Sequence, residues 1–159
     1  MRIGVVSDTH GDIYMLKKVI AAAGKVDLWL HAGDYCQDAW RLKELTGLPI
    51  TVVAGNCDRT KAVPPDEYVE IGDTLIWLTH GHNYDVKHGV EHLRMWAEEY
   101  EADVVVYGHS HTPYNDWHEG VLIFNPGSPA SPRGGSQPSF GILEFAENGN
   151  NIAGYIVEI

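Results

Sequence analysis

Apolar residues gather in short runs along this chain, and most of the runs stop at a Gly, His, Asp or Asn. Residues 3–7 form the first, a continuous apolar stretch of the kind that fills a parallel strand covered on both faces. From Gly11 or Asp12 the period changes: Ile13, Leu16, Val19, Ile20 and Ala23 recur at helical spacing until Gly24 stops them. Residues 26–32 predict a second strand, ending in Gly33-Asp34. Residues 38–46 predict a second helix with Ala39, Leu42 and Leu45 on one face, closed by Gly47, and residues 49–54 a third strand that runs into Gly55-Asn56-Cys57-Asp58. This β-α-β-α-β order is that of a doubly wound α/β protein, in which ligands bind beyond the carboxyl ends of the strands.

After Pro64-Pro65 the pattern changes. Residues 68–71 and 75–79 predict a hairpin through Gly72-Asp73, its second strand ending in Thr79-His80-Gly81-His82. A helix is expected over residues 85–100, burying Val86, Val90, Leu93 and Ala97. Residues 103–107 are again apolar and end in Gly108-His109-Ser110-His111, and residues 121–124 end in Asn125-Pro126-Gly127-Ser128. Residues 128–138, rich in Ser, Pro and Gly, predict a loop. Two last strands, 139–145 and 151–157, are joined through a turn at Asn148-Gly149-Asn150. The expected architecture is two facing mixed sheets with helices on their outer faces, in one domain over residues 1–159.

Composition narrows the function classes. The formal net charge is −11, with 22 acidic against 11 basic residues and no basic run, which argues against binding long nucleic acid through its phosphates. No apolar run approaches a membrane span, and the start of the chain enters a strand pattern directly, so a cytoplasmic protein is expected. Cys36 and Cys57 have no zinc or redox spacing and are expected as free thiols.

The nine histidines matter through their placement. Collected from the predicted strand ends, the candidate ligands are Asp8, His10, Asp34, Asn56, His80, His109 and His111. Any one of them has an ordinary explanation as a cap or turn residue. Seven at successive strand ends are too many oxygen and nitrogen donors for one zinc ion and suit two metals sharing a carboxylate. The set lacks thiolate, which points to Mn²⁺, Fe, Ni²⁺, Zn²⁺ or Mg²⁺.

The order Asp8-x-His10, Gly33-Asp34, Gly55-Asn56-x-Asp58, His80-Gly81-His82 and Gly108-His109-x-His111 resembles the calcineurin-like metallophosphoesterases. Together with Asn125-Pro126-Gly127-Ser128 and Pro132-Arg133-Gly134-Gly135, it is similar to the small bacterial and archaeal phosphodiesterases of that family. The resemblance implies a four-layer α/β/β/α sandwich. It implies that Asp8, His10 and His111 bind one metal, that Asn56, His80 and His109 bind a second, and that Asp34 bridges them. Manganese or nickel leads the list of metals. The implied reaction is hydrolysis of a small phosphate ester, a phosphodiester first of all, by a metal-bridging hydroxide. Asp34, Asn56 and His80 are then the candidate catalytic residues, with His82 for proton transfer. A phosphomonoesterase or protein phosphatase would use the same metals, and a non-catalytic binding module of the retromer-subunit type has the same fold. A homodimer or homotetramer is expected from exposed aromatics and family habit.

One position departs from the larger relatives. They carry a leaving-group His after the metal-binding Asn, where this chain has Cys57, and a thiol of pKa about 8.5 is a poor acid. Other candidates have bland readings. His88 and His92 are expected on a solvated helix face, His31 satisfied in packing, His118 in a turn, and Asp38 as a helix cap. Trp29, Trp40, Trp77, Trp96 and Trp117 are expected in the core or in subunit contacts. Arg133 stands equally between meeting a substrate phosphate and lying in a surface turn.

Overall fold

The structure is a computed structural model, describing residues 1–146 and 152–159. Its elements in chain order are β1 (Arg2–Val6), α1 (Ile13–Ala23), β2 (Leu28–His31), α2 (Gln37–Thr46), β3 (Ile50–Val52), β4 (Asp66–Ile71), β5 (Thr74–Thr79), α3 (Glu91–Glu99), β6 (Val104–Val106), β7 (Tyr114–His118), β8 (Val121–Asn125), β9 (Ser139–Phe145) and β10 (Ile152–Glu158). One five-stranded sheet has the order β10-β9-β1-β2-β3 and the other β4-β5-β6-β8-β7. In the first, β1, β2 and β3 are parallel; in the second, β5, β6 and β8 are parallel. The remaining strands pair antiparallel at the flanks. Both sheets are therefore mixed, as expected.

Three apolar layers hold the sandwich together. Ile3, Val5, Leu30, Ile76, Leu78, Val104, Leu122 and Phe124 fill the space between the sheets. Leu16, Val19, Trp29 and Leu42 pack α1 and α2 on the outside of the first sheet, and Leu93, Ala97, Trp77 and Val105 pack α3 on the outside of the second. The central strands are apolar on both sides because both faces are covered. Asp12 caps α1 by accepting from the Met15 N–H at 3.0 Å. At Gly47, in the left-handed region, α2 closes and the glycine N–H bonds back to the Lys43 carbonyl.

Three expectations need correction. The helix expected over 85–100 is only Glu91–Glu99; Asp85 has φ of 54° and Gly89 of 146°, so the backbone before Val90 turns instead of coiling. Val86 is buried all the same. Leu45 does not join the buried face of α2 and stays 47% exposed. His118 is not in a turn but ends β7, an edge strand that the apolar pattern does not reveal, because Tyr114–His118 is exposed at its centre and has no apolar alternation. Trp29 and Trp77 are core, while Trp40, Trp96 and Trp117 are exposed. The turn expected at Asn148-Gly149-Asn150 lies outside the described residues. Among the described residues no helix is long and apolar enough to cross a membrane, and Cys36 and Cys57 are free thiols.

Candidate metal centre

Every predicted ligand leaves the carboxyl end of a parallel strand: Asp8 and His10 follow β1, Asp34 follows β2, Asn56 follows β3, His80 follows β5, and His109 and His111 follow β6. The two sheets face each other, so loops from both meet at one end of the sandwich. Each of Asp8, His10, Asp34 and His111 offers a donor atom within 4.8 Å of the others, a grouping able to hold a metal ion. His10 Nε2 is 3.3 Å from His111 Nε2 and 3.9 Å from Asp34 Oδ2. On the other side, His80 Nε2 is 3.2 Å from Asn56 Oδ1 and 3.4 Å from Asp34 Oδ1. The His109 ring stands edge-on to His80, centroids 5.1 Å apart, and the His109 backbone N–H donates to Asp8 Oδ2 at 3.0 Å. His82 lies beside the group, its ring 5.3 Å from that of His80, with a buried Nδ1 that has no hydrogen-bond partner among the described residues. All seven ligands expected from sequence are thus drawn into one locality.

The backbone is bent to bring this about. Asp8, His10, Asp34, His109 and His111 all have φ between 46° and 65°, a region that non-glycine residues seldom occupy. Surrounding contacts hold them there. The Asp8 N–H donates to the Gly33 carbonyl at 3.0 Å, and the Ser128 hydroxyl donates to the Asp8 carbonyl at 2.8 Å. Ser7 donates to Asp8 Oδ2 at 2.7 Å, and the Cys57 N–H donates to Asp34 Oδ1 at 2.9 Å. Gly108 is required beside Ser7 and Asp8: a Cβ there would strike the Ser7 hydroxyl and stand 2.8 Å from Asp8 Oδ2.

The donor chemistry fits divalent cations. His80 Nδ1 is 2.7 Å from the Ala32 carbonyl and His111 Nδ1 is 2.6 Å from that of Ser131, so each ring gives its Nδ1 proton to the backbone and turns Nε2 inward. Asp8 Oδ1 is buried and without a hydrogen bond among the described residues, with His111 Nε2 at 3.2 Å and His80 Nε2 at 4.0 Å. An orphaned carboxylate oxygen facing imidazole nitrogens is what a cation satisfies. Burial tends to raise the Asp8 pKa, but His111 and His80 more than offset it and hold the carboxyl below its usual range. Burial, with the charges of His80 and Lys87, pushes His109 down to about 4, leaving a neutral imidazole at neutral pH.

Behind these ligands stands a buttress that sequence reasoning does not find. Asp38 is buried inside α2 and does not cap it; Cys36 occupies the cap position, without a side-chain cap bond. The Asp38 carboxylate instead accepts from Thr9, Gly11 and Arg41. His31 is fully buried as expected, its Nε2 3.1 Å from the same Thr9 hydroxyl and its Nδ1 accepting from the Gly33 N–H. The Asn125 amide donates to the Gly108 carbonyl at 3.0 Å. Polar residues just before or after the apolar runs are the one signal of this layer, but their partners lie on other strands.

Fold and site together define a metal-binding α/β sandwich. The description "Calcineurin-like phosphoesterase superfamily domain" matches residues 1–148. The chain is 31% identical over 98% of its length to the probable metallophosphoesterase YsnB of Bacillus subtilis, covering 90% of that protein. It is 30% identical over 91% of its length to phosphodiesterase MJ0936 of Methanocaldococcus jannaschii, covering 93% of it. Among solved structures, a predicted phosphoesterase from Streptococcus pneumoniae TIGR4 superposes with a TM-score of 0.78 at 31% identity, covering 98% of this chain and 97% of that one. Vps29 of Entamoeba histolytica, complexed with zinc, shares the fold at a TM-score of 0.80 and 21% identity, over 99% and 98% of the two chains. The chain belongs to the calcineurin-like phosphoesterase superfamily.

Proposed function

We propose that this protein hydrolyses phosphodiesters at a site holding two divalent cations. Asp8, His10 and His111 would hold one, and Asn56, His80 and His109 the other, with Asp34 between them. One observation carries the reading: the two oxygens of Asp34 serve different sides, Oδ2 lying 3.9 Å from His10 Nε2 and Oδ1 3.4 Å from His80 Nε2. Manganese or nickel suits this nitrogen and oxygen donor set, with iron, zinc and magnesium in the same class. When bound, the cations supply Lewis acidity toward the phosphoryl oxygens and a water acidified for in-line attack.

The chain's own residues set which esters react. Asp34 and Asp8 bring two negative charges into a buried place, so a phosphate approaches only where cations offset them. His109, neutral, has one ring nitrogen free to offer a lone pair. Cys57, pushed up to about 11 by burial and by Asp34, remains a thiol at neutral pH and is a far weaker general acid than an imidazolium. The His82 ring is held low by burial and by His80, which favours a neutral base that takes up a proton over an acid that gives one. Esters whose leaving group departs unprotonated, such as aryl esters, are therefore favoured. The M. jannaschii relative, named as a phosphodiesterase, supports the diester over the monoester.

The reading extends to one domain acting on small phosphate esters in the cytoplasm, and exposed Trp40, Trp96 and Trp117 support association as a homodimer or homotetramer. The fold of Vps29 keeps a second reading, that of a binding module. A panel of bis-p-nitrophenyl phosphate, p-nitrophenyl phosphate, a phosphopeptide and a cyclic nucleotide, with Mn²⁺ or Ni²⁺, separates the cases. Preference for the diester is expected. Preference for monoesters would move the reading to a phosphatase, and metal binding without turnover of any ester would move it to the binding module.

A further inference from the structure

Beside the metal centre lies a groove of about 260 Å³, lined among others by Tyr35, Gln37, Cys57, Arg59 and Thr60. Its walls are the residues that directly follow two candidate ligands, Tyr35 after Asp34 and Cys57 after Asn56. The Cys57 N–H donates to Asp34 Oδ1, which ties the groove to that carboxylate. Tyr35 is 41% exposed, which leaves much of a large aromatic ring open to solvent. With φ of 70° its backbone is in the left-handed region, and the ring meets His10 edge-on at 5.5 Å between centroids. A Cβ added to Gly11 would stand 3.5 Å from the same ring, so His10 and Gly11 support it from one side.

Arg59 adds a second feature. In a chain of net charge −11, its exposed guanidinium takes part in no ion pair among the described residues and lines this groove. Gln37 and Thr60 add groups able to donate and accept hydrogen bonds, while the Asp58 carboxylate, also in the lining, accepts from the Cys36 and Gly55 N–H groups. An exposed aromatic ring, a guanidinium and an amide around a volume below the roughly 300 Å³ of a small drug site suit one flat, hydrogen-bonding ring, and not a polymer.

We propose that this groove is the subsite for the nucleoside arm of a nucleotide phosphodiester, with Tyr35 stacking on the base and Arg59 meeting its polar edge. The proposal rests on the phosphodiesterase reading above and names the substrate class of the same site. Tyr35 and Arg59 set specificity; the chemistry at phosphorus is left to the metal ligands.

The test uses two esters with the same leaving group, thymidine 5′-(p-nitrophenyl phosphate) and methyl p-nitrophenyl phosphate, on the Mn²⁺-loaded protein. The wild type should prefer the nucleoside ester in kcat/KM by about tenfold, as base stacking on one aromatic ring supplies. Tyr35→Leu should lose that ratio through KM for the nucleoside ester, Tyr35→Phe should keep it, and Arg59→Ala should reduce it. A wild-type ratio near unity, or a ratio unchanged in Tyr35→Leu, would overturn the subsite while leaving the phosphodiesterase standing. Hydrolysis of neither ester would overturn the phosphodiesterase reading and the subsite with it.

Discussion

The Thr9 hydroxyl donates to Asp38 Oδ2 at 2.6 Å, tying helix α2 to the turn that carries Asp8 and His10. The same oxygen accepts from the Gly11 N–H at 2.8 Å, and Asp38 Oδ1 accepts from Arg41 at 2.9 Å. The Asp8–His10 turn is thus held from behind by one buried carboxylate.

Asp38→Ala should leave the Thr9 O–H and the Gly11 N–H without their acceptor, costing about 1–3 kcal/mol of stability. It should also weaken metal binding by about 10–100-fold, the usual effect of removing a group that orients ligands. Asp38→Asn, which keeps an acceptor of the same shape, should fall between. Thermal unfolding and a metal titration check this. Unchanged metal affinity in Asp38→Ala would mean the turn holds itself.

Gly55→Ala should disable the site without touching a ligand. A Cβ at this position would strike Asp34 Oδ1 and approach the Asp34 backbone nitrogen. Neither the carboxylate, bonded to the Cys57 N–H, nor the backbone has room to retreat. Displacing Asp34 by even about 1 Å should cost about 100-fold in kcat/KM for a p-nitrophenyl phosphodiester. A variant of wild-type activity would show that Asp34 need not be held so tightly.

His31 makes stability depend on pH. Complete burial pushes its pKa down to about 4 from an ordinary 6.5, despite the opposing charges of Asp38, Asp58 and Asp8. The unfolded chain then binds the extra proton between those two values. This stabilisation is fully present above the ordinary value of 6.5 and is lost as pH falls toward 4. With chelator present, wild-type protein should lose stability more steeply than His31→Asn between about pH 7 and pH 5, in urea titrations at several pH values. Equal slopes would assign the acid sensitivity elsewhere.

All seven candidate ligands are legible in the amino-acid sequence because each closes a short apolar run, and buried parallel strands write themselves as such runs. Their convergence follows from the rule that open α/β sheets bind at carboxyl ends. The start of α3 is not legible. Val86 and Val90 keep helical spacing, yet Asp85 and Gly89 adopt positive φ, a choice made by tertiary packing that the apolar period does not record. Strand β7 escapes for a related reason, since an exposed edge strand has no buried face to impose alternation. Asp38 reads as a cap because the residues around it show only a helix start. Its true partner, Thr9, is 29 residues away.

Removing the metals should cost stability as well as activity. Asp8 Oδ1 is buried with no hydrogen bond among the described residues, so a bound cation satisfies an oxygen left unpaired in the folded state alone. Saturation with Mn²⁺ at about a hundred times its Kd should add about 2.7 kcal/mol per ion bound over chelator-treated protein. Scanning calorimetry with and without chelator checks it. Coincident transitions would contradict the site's affinity for metal.

Asp34 joins two cations into one catalytic unit in the reading proposed above. Elemental analysis of Mn²⁺-loaded protein, run with hydrolysis of bis-p-nitrophenyl phosphate, tests it on the wild type, Asp34→Ala and His109→Ala. The account predicts two ions per chain and turnover in the wild type, fewer ions in both variants, and no hydrolysis by either. Full hydrolysis by Asp34→Ala and His109→Ala would contradict it.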